Sequence, residues 1–201
     1  MTEILSEAVL LPALSKCQFI KKIYTFREID STNDFLKRLC LREKAPEGTF
    51  VYAEKQTRGR GRFSRVWDSP EGKGLWFSCL FLPKDSLLNE MEWTQLGARA
   101  CQNAINELFH LPLNIRWPND LFFAEKKIGG ILTEPVRKGD IIQRVVMGIG
   151  ININQDKKDF HDSIRDHAVS LKMVLKQNIN RVQVLVQIVQ QLEKDYLHGS
   201  D

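Results

Sequence analysis

Residues 127–154 read KIGGILTEPVRKGDIIQRVVMGIGININ, which is two apolar runs separated by a short polar turn. The composition of Ile128–Glu134 and of Gln143–Ile153 is typical of β-strands, and Lys138-Gly139-Asp140 can form the turn between them. The two strands are therefore predicted to pair in an antiparallel sheet. This pair is the centre from which the rest of the fold is predicted.

Further strands are predicted on the N-terminal side of this pair, at Ile23–Ile29, Thr49–Ala53, Leu75–Leu82 and Leu113–Trp117. Apolar residues at helical spacing predict a helix from about Phe35 to Cys40, one from Trp93 to Leu108, a short one at Ser170–Leu175, and a last one at Arg181–Leu197 with Asn180 as its N-cap. Strands grouped between helices without regular alternation indicate an α+β domain, a mixed β-sheet with helices packed mainly on one face. Residues 1–22 are expected to form an N-terminal arm, and residues 23–201 one domain.

The composition is that of an ordinary soluble globular protein. The chain has 201 residues, of which 43% are hydrophobic and 27% charged, with a formal net charge of +4. The apolar run Ala8–Leu14 is interrupted by Pro12 and lacks a basic flank, so neither a signal peptide nor a membrane span is expected. The four cysteines form no C-x-x-C pair, which argues against a zinc site or a disulfide framework and favours the cytoplasm.

Four arginines and two glycines lie within residues 58–65, directly after a predicted strand. We call Arg58–Arg65 the arginine loop. Glycines allow close backbone approach and guanidinium groups offer forked donors, so the loop can surround a phosphate or a carboxylate. Segments of this composition also bind nucleic acid or form solvated turns, and the loop alone does not separate these alternatives.

Other motifs in the chain decide between them. In order, they are Ser31-Thr32-Asn33, the arginine loop, Arg116-Trp117-Pro118-Asn119-Asp120, Lys127-Ile128-Gly129-Gly130-Ile131-Leu132 and Gly148-Ile149-Gly150-Ile151-Asn152-Ile153-Asn154. The set resembles the catalytic domain of the biotin protein ligase family, from about residue 24 to the C-terminus. The resemblance implies a core like that of class II aminoacyl-tRNA synthetases. Neither the N-terminal DNA-binding domain of some members nor the usual C-terminal SH3-like domain is expected, and full activity is therefore an open question.

The resemblance also implies an activity: MgATP and biotin form biotinyl-5′-AMP, and the biotinyl group passes to a lysine of a biotin carboxyl carrier protein. It implies that Lys127, Arg60 and Asp120 are catalytic. It implies that biotin is bound by Ser31, Thr32, Asn33, Gln56, Gly59, Arg60, Lys127, Gly130, Gly148 and Gly150. The nucleotide is expected at Arg62, Arg65, Trp67, Arg116, Asn119 and Asn152. Magnesium is expected to bind through the phosphates, with Asp120 as the candidate protein ligand.

Each motif also has a purely structural interpretation. Ser31 or Thr32 can cap a helix, Trp117–Asp120 can be a turn, and the glycines can mark close packing. Two positions depart from the family pattern: Arg116 replaces the usual lysine, and Phe63-Ser64 stands where a glycine is common. The alternative functions are a lipoate or octanoate ligase, a non-catalytic biotin-binding module and an RNA-binding protein. The expected partner is the carrier protein of a biotin-dependent carboxylase, without nucleic acid or membrane, and the protein is expected to be a monomer or a homodimer.

Overall fold

The computed structural model describes residues 3–42, 45–83 and 89–198. The helices are α1 (Glu7–Ala13), α2 (Thr32–Arg42), α3 (Glu90–Phe109), α4 (Leu171–Leu175) and α5 (Arg181–His198). The strands are β1 (Lys22–Ile29), β2 (Thr49–Gln56), β3 (Gly74–Phe81), β4 (Asn114–Arg116), β5 (Asp120–Phe123), β6 (Lys126–Lys138) and β7 (Ile141–Asn152). No helix within these ranges is long and apolar enough to cross a membrane.

The seven strands form one sheet in the order β1-β2-β3-β7-β6-β5-β4. The pair β1/β2 is parallel, and every other neighbouring pair is antiparallel. The predicted pair is therefore confirmed as β6 and β7, which turn at Gly139 with φ of 59°. The sheet is mixed, as expected for the α+β class.

Alternating residues of the central strands face opposite sides of the sheet. On β7, Met147, Ile149 and Ile151 point into the main apolar core, and so do Phe77 and Cys79 of β3. Helices α3 and α5 cover this side, where Trp93, Ile188 and Leu192 are buried. The opposite side carries Gly148 and Gly150 and is covered only in part, by α2 through Leu36 and Cys40. The helices thus lie mainly on one face, and the other face has room for a ligand.

The ends of the helices follow the expected capping chemistry. Asn89 and Glu92 form a capping box at the start of α3, and Asn180 Oδ1 accepts the backbone N–H of Gln183 at the start of α5. The segment before β1 contributes Leu5, Leu10 and further apolar side chains to the main core. The division of the chain at residue 22 into arm and domain stays a prediction.

One element was missed by the sequence patterns. A turn was the structural interpretation of residues 117–120, and residues 117–119 do form one. Asp120 already belongs to β5, which pairs with β4 on one side and β6 on the other. A strand of four residues is too short to show an alternating pattern of its own. The formation of β5 matters for the site, because this strand brings Asp120 opposite Gly130.

Candidate functional site

A cavity of about 600 Å³ opens on the side of the sheet opposite α3 and α5. Every candidate site residue except Gly59 lines it: Ser31, Thr32, Asn33, Gln56, Arg60, Arg62, Arg65, Trp67, Arg116, Asn119, Asp120, Lys127, Gly130, Gly148, Gly150 and Asn152. Gly59 is buried, and a Cβ at this position would lie 2.3 Å from the carbonyl oxygen of Trp67. The fold therefore brings residues of separate motifs around one cavity. Gly59 instead packs closely against the backbone at Trp67.

Thr32, Asn33 and Gln56 line the cavity and are connected by hydrogen bonds that include those of Ser78, which is fully buried. We call these four residues the polar floor. Gln56 Oε1 accepts hydrogen bonds from the backbone N–H and the hydroxyl of Thr32, at 2.9 and 3.1 Å. Ser78 Oγ lies 2.7 Å from Thr32 Oγ1 and 2.6 Å from Asn33 Oδ1. Sequence patterns did not identify Ser78, because it becomes part of the floor only through pairing with Gly148 on β7.

Three glycines lie beneath larger side chains. A Cβ at Gly148 would lie 2.2 Å from Asn33 Oδ1, and one at Gly150 would lie 2.5 Å from Trp67 Nε1. Gly130 has more room, because a Cβ there would lie 3.3 Å from Trp67 and 3.4 Å from Asp120. Both the packing and the binding interpretations therefore have support, since the omitted side chains admit Asn33 and Trp67, which themselves line the cavity.

A second set of polar contacts lines the same cavity. Lys127 Nζ lies 2.7 Å from Asp120 Oδ1 and 5.1 Å from the centre of the Trp67 ring. Asn119 Nδ2 donates to the same Asp120 oxygen at 2.7 Å, and Arg62 Nη1 donates to Asn119 Oδ1 at 3.0 Å. An ammonium group and a guanidinium group thus stand beside one cavity wall, where an anionic ligand would find both.

Arg60 has partners that the sequence patterns did not anticipate. Its Nη2 donates to both carboxylate oxygens of Glu134, at 2.6 and 2.7 Å, and lies 2.9 Å from Asp34 Oδ1. Lys37 contacts the same two carboxylates, at 2.8 and 3.1 Å, and Asn33 Nδ2 donates to Glu134 at 2.9 Å. Burial alone would raise the pKa of Glu134, but the hydrogen bonds from Lys37 and Asn33 and the charges of Lys37 and Arg60 outweigh it and lower that pKa.

Three further arginines near the cavity motifs have exposed side chains. Arg58 has 80% of its side chain exposed, and Arg65 is exposed as well. Arg116 forms an ion pair with Glu125 and lies 3.9 Å from the centre of the Phe122 ring. Phe63 and Ser64 have φ of 56° and 58°, in the left-handed region where the family pattern often has glycine.

Residues 155–168 complete the cavity at the end near Asn152. Asn152 donates to the carbonyl oxygen of Val169 at 3.1 Å and accepts from Gln155 at 3.0 Å, so its amide is held by the protein itself. The other lining residues of this segment, which no sequence motif indicated, are Phe160, Ile164, His167 and Ala168. The bridge between Lys127 and Ala168 fixes the segment beside β6.

Within the described ranges, no group of three acidic, histidine or cysteine side chains is arranged to hold a metal ion. The candidate ligand Asp120 is engaged by Lys127 and Asn119 through Oδ1. A magnesium ion at this site would therefore depend on phosphate oxygens for most of its ligands.

Known proteins share much of this sequence. The Bifunctional ligase/repressor BirA of Bacillus subtilis is 44% identical over 152 residues, which are 76% of this chain and 47% of that protein. The Biotin--[acetyl-CoA-carboxylase] ligase of Paracoccus denitrificans is 33% identical over 127 residues, which are 62% of this chain and 51% of that protein. The chain thus spans about half the length of these curated relatives.

A solved structure, the biotin protein ligase from Aquifex aeolicus in complex with biotin and ATP, superimposes with a TM-score of 0.75 at 33% identity. The superposition covers 90% of this chain and 74% of that chain. The family model for the biotin/lipoate A/B protein ligase family matches residues 25–152, a range that contains most of the sheet and of the cavity. Since this match covers more than half of its residues, the chain belongs to the biotin/lipoate A/B protein ligase family.

Proposed function

We propose that this protein activates biotin with MgATP to biotinyl-5′-AMP and transfers the biotinyl group to a lysine of a carrier protein. One observation carries the proposal: a single cavity is lined by Thr32, Asn33 and Gln56 of the polar floor and also by Lys127 and Arg62. A ligand with a polar head and a carboxylate tail could bind both sets of residues. The relative of Paracoccus denitrificans, which is called a biotin--[acetyl-CoA-carboxylase] ligase, and the solved structure, which holds biotin and ATP, support the same choice.

The polar floor favours biotin over lipoate or octanoate. The ureido group of biotin has one carbonyl acceptor and two N–H donors, and the cavity-lining residues Thr32, Asn33 and Gln56 carry hydroxyl and amide groups of both kinds. The end of lipoate or octanoate has no comparable group, so it would form no hydrogen bonds with the polar floor. Each hydrogen bond that biotin forms there contributes about 0.5–1.5 kcal/mol.

The first chemical step joins two negatively charged groups. A carboxylate oxygen of biotin attacks the α-phosphorus of ATP, the new O–P bond forms, and the bond to the leaving pyrophosphate breaks. Repulsion between the anions opposes the approach, so positive charge at the meeting point lowers the barrier. Lys127, Arg62 and Arg65 are the proposed sources within the protein, and magnesium arrives with the nucleotide as part of the substrate.

The second step needs no covalent enzyme intermediate. The amine of the carrier lysine attacks the acyl carbon of biotinyl-5′-AMP and the amide C–N bond forms. AMP leaves with the electron pair of the acyl C–O bond, and the amine gives up one proton to solvent water. Asp120 is the proposed group that orients the incoming lysine, because it already holds an ammonium group, that of Lys127, at 2.7 Å. Phe160, Ile164 and Trp67 offer apolar surface for the adenine ring or for the aliphatic chain of biotin.

The proposed partner is the biotin carboxyl carrier protein of a biotin-dependent carboxylase. We propose a cytoplasmic location, which agrees with four buried free thiols at Cys17, Cys40, Cys79 and Cys101. Whether the protein is a monomer or a homodimer, and whether it avoids nucleic acid, stay predictions.

Incubation with MgATP and biotin, lipoate or octanoate in parallel tests the proposal, with acyl-AMP products measured by mass spectrometry. The expected result is biotinyl-5′-AMP, with much less product from the other two acids. A carrier domain and its lysine-to-arginine variant then test transfer. Equal products from all three acids would contradict the assigned specificity, and biotin binding without any adenylate would favour the non-catalytic alternative.

A further inference from the structure

The arginine loop is attached to the sheet by Glu134. This residue lies on β6, on the same face as Gly130 and Leu132, and its partner Arg60 is 74 residues earlier in the chain. Arg60 and Lys37 supply two positive charges and Asp34 and Glu134 two negative charges, so the group is locally balanced. A balanced group of this kind gives the loop a fixed point on a rigid strand.

Glu134 also contacts the polar floor. Asn33 Nδ2 donates to Glu134 Oε2 at 2.9 Å and to the carbonyl oxygen of Leu132 at 3.1 Å, while Asn33 Oδ1 accepts from Ser78 at 2.6 Å. Asn33 has little freedom to move toward the sheet, because its amide lies directly over Gly148. A continuous path of hydrogen bonds therefore runs from Ser78 through Asn33 and Glu134 to Arg60.

We infer that Glu134 is a positioning residue that anchors the arginine loop over the cavity and connects the loop to the polar floor. A ligand that hydrogen-bonds to the floor would fix Asn33, and Asn33 would in turn fix Glu134 and Arg60. Only this last part, on ligand binding, rests on the proposed function. The anchoring of the loop stands on the contacts alone.

The loop needs such an anchor for two physical reasons. Arg58, Arg60, Arg62 and Arg65 carry like charges within eight residues, and these charges repel one another. In addition, Phe63 and Ser64 hold left-handed backbone conformations, which are unfavourable for residues with a side chain. Contacts outside the loop must offset both costs, and Glu134 provides the pair of shortest ones to Arg60.

In this proposal Arg60 has a positioning role, and the catalytic role expected for it stays a prediction. Carboxylate oxygens of Glu134 and Asp34 lie 2.6 to 2.9 Å from its Nη2, so this nitrogen is occupied by the protein, whereas its Nε is buried without a hydrogen-bond partner. Lys127, Arg62 and Arg65 are therefore the first candidates for neutralising the reacting phosphate. Arg60 contributes by holding the backbone of the loop in place.

Limited trypsin digestion of the full chain, read bond by bond with mass spectrometry, measures how often the loop opens. We compare the ligand-free wild type with Glu134→Gln, which keeps an acceptor for Asn33 but removes the charge that holds Arg60. Cleavage after Arg58, Arg60, Arg62 and Arg65 is expected to rise at least about tenfold, as loss of a charge-assisted contact predicts. Cleavage at sites outside the loop should stay unchanged.

Lys37→Gln is the matched control. Lys37 forms ion pairs of similar length with the same two carboxylates, but it belongs to α2 and not to the loop. Its loss should change loop cleavage by no more than about twofold, because Arg60 keeps both of its contacts to Glu134. Equal effects of the two substitutions, or an unchanged loop in Glu134→Gln, would overturn the inference. If Glu134→Gln does not fold, Asp34→Asn removes the other carboxylate of Arg60 and should show a smaller increase of the same kind.

Titration with biotin separates this inference from the proposed function. In Glu134→Gln the KM for biotin should rise about tenfold, because biotin must order a looser loop when it binds. The kcat at saturating biotin should change by less than about threefold, because the bound ligand then holds the loop that carries Arg62 and Arg65. A fall in kcat with an unchanged KM would contradict the positioning role. If the wild type does not bind biotin, the proposed function fails, but the ligand-free digestion still decides whether Glu134 anchors the loop.

Discussion

Lys127 is the residue on which the proposed chemistry depends most. Its ammonium group lies between Asp120 and the Trp67 ring and lines the cavity. Lys127→Met keeps the aliphatic stem and removes the charge. We expect adenylate formation to fall by at least about a hundredfold, which corresponds to ~2.7 kcal/mol of barrier.

Lys126→Met is the control for this prediction, because the adjacent Lys126 is exposed and does not line the cavity. Single-turnover assays with biotin and MgATP measure both variants. Far-UV circular dichroism checks that the fold is kept. A rate for Lys127→Met within about tenfold of the wild type, or ~1.4 kcal/mol, would remove Lys127 from the proposed mechanism.

The glycines of the cavity should differ in their tolerance of a methyl group. An added Cβ would lie 2.2 Å from Asn33 at Gly148, 2.5 Å from Trp67 at Gly150 and 3.3 Å from Trp67 at Gly130. Asn33 is held by several hydrogen bonds, so Gly148→Ala should disturb the polar floor most. We expect a loss of stability of about 1–3 kcal/mol for Gly148→Ala, as for overpacked cores, and the smallest loss for Gly130→Ala.

Urea unfolding and biotin titration of the three alanine variants test this order. The order follows from contact distances alone, so it does not depend on the proposed reaction. Gly130→Ala as the most harmful of the three would show that the space above Gly130 is used by something other than Trp67 and Asp120.

At the scale of elements, the interface of α3 and α5 contains a carboxylate whose charge is unfavourable. Asp195 on α5 is 6% exposed, and its Oδ2 is buried without a hydrogen-bond partner. Burial raises the pKa of Asp195, while a hydrogen bond from Gln191 and the charges of Lys194 and Arg99 act in the opposite direction. The folded protein therefore binds this proton more tightly than the unfolded chain does.

This difference gives a pH dependence with a definite sign. As pH rises above the ordinary aspartate pKa of about 3.9, the unfolded chain loses the proton first, and the folded state becomes less stable in comparison. Asp195→Asn removes the effect. It should stabilise the protein at pH 7 by on the order of 1 kcal/mol, and by less near pH 4.

Urea unfolding of the wild type and Asp195→Asn at several pH values measures the difference. Asp166→Asn is a suitable control, because Asp166 has an exposed side chain, paired with Lys157. A stabilisation by Asp195→Asn that does not change with pH would show that the carboxylate charge is not its cause.

At the scale of the whole molecule, one buried ion pair ties the N-terminal segment and the last helix to the sheet. Arg181 at the start of α5 lies 2.7 Å from Glu54 on β2, and their side chains are 3% and 1% exposed. Glu54 also accepts the backbone N–H of Leu5 at 2.6 Å, and Arg181 donates to the carbonyl oxygen of Glu3 and to Tyr52. The segment before α1 is thus joined to β2 and α5 at one point.

Arg181→Met should destabilise the protein by about 3–5 kcal/mol, because it leaves the Glu54 carboxylate buried without its counter-charge. Adding Glu54→Gln removes that charge and keeps an acceptor for Leu5. The double variant should therefore be more stable than Arg181→Met alone. Thermal and urea unfolding test this, and a double variant as unstable as the single one would show that the charge is not the source of the loss.

Much of this molecule follows from its sequence, because periodicity and motif order are local properties. The apolar composition of Gln143–Ile153 indicated β7, and the glycine at 139 marked its turn. Helical spacing indicated α3 and α5. The motifs identified most of the side chains that line the cavity, since each motif carries its own residue types at fixed spacing.

Contacts between distant residues were decided by the tertiary structure alone. The order and register of the strands place Ser78 opposite Gly148, and they bring Glu134 to Arg60 across 74 residues. The four-residue strand β5, which sets Asp120 against Gly130, has no pattern of its own. Strand order and register depend on the packing of the whole sheet against its helices, and this packing involves residues that are far apart in the sequence.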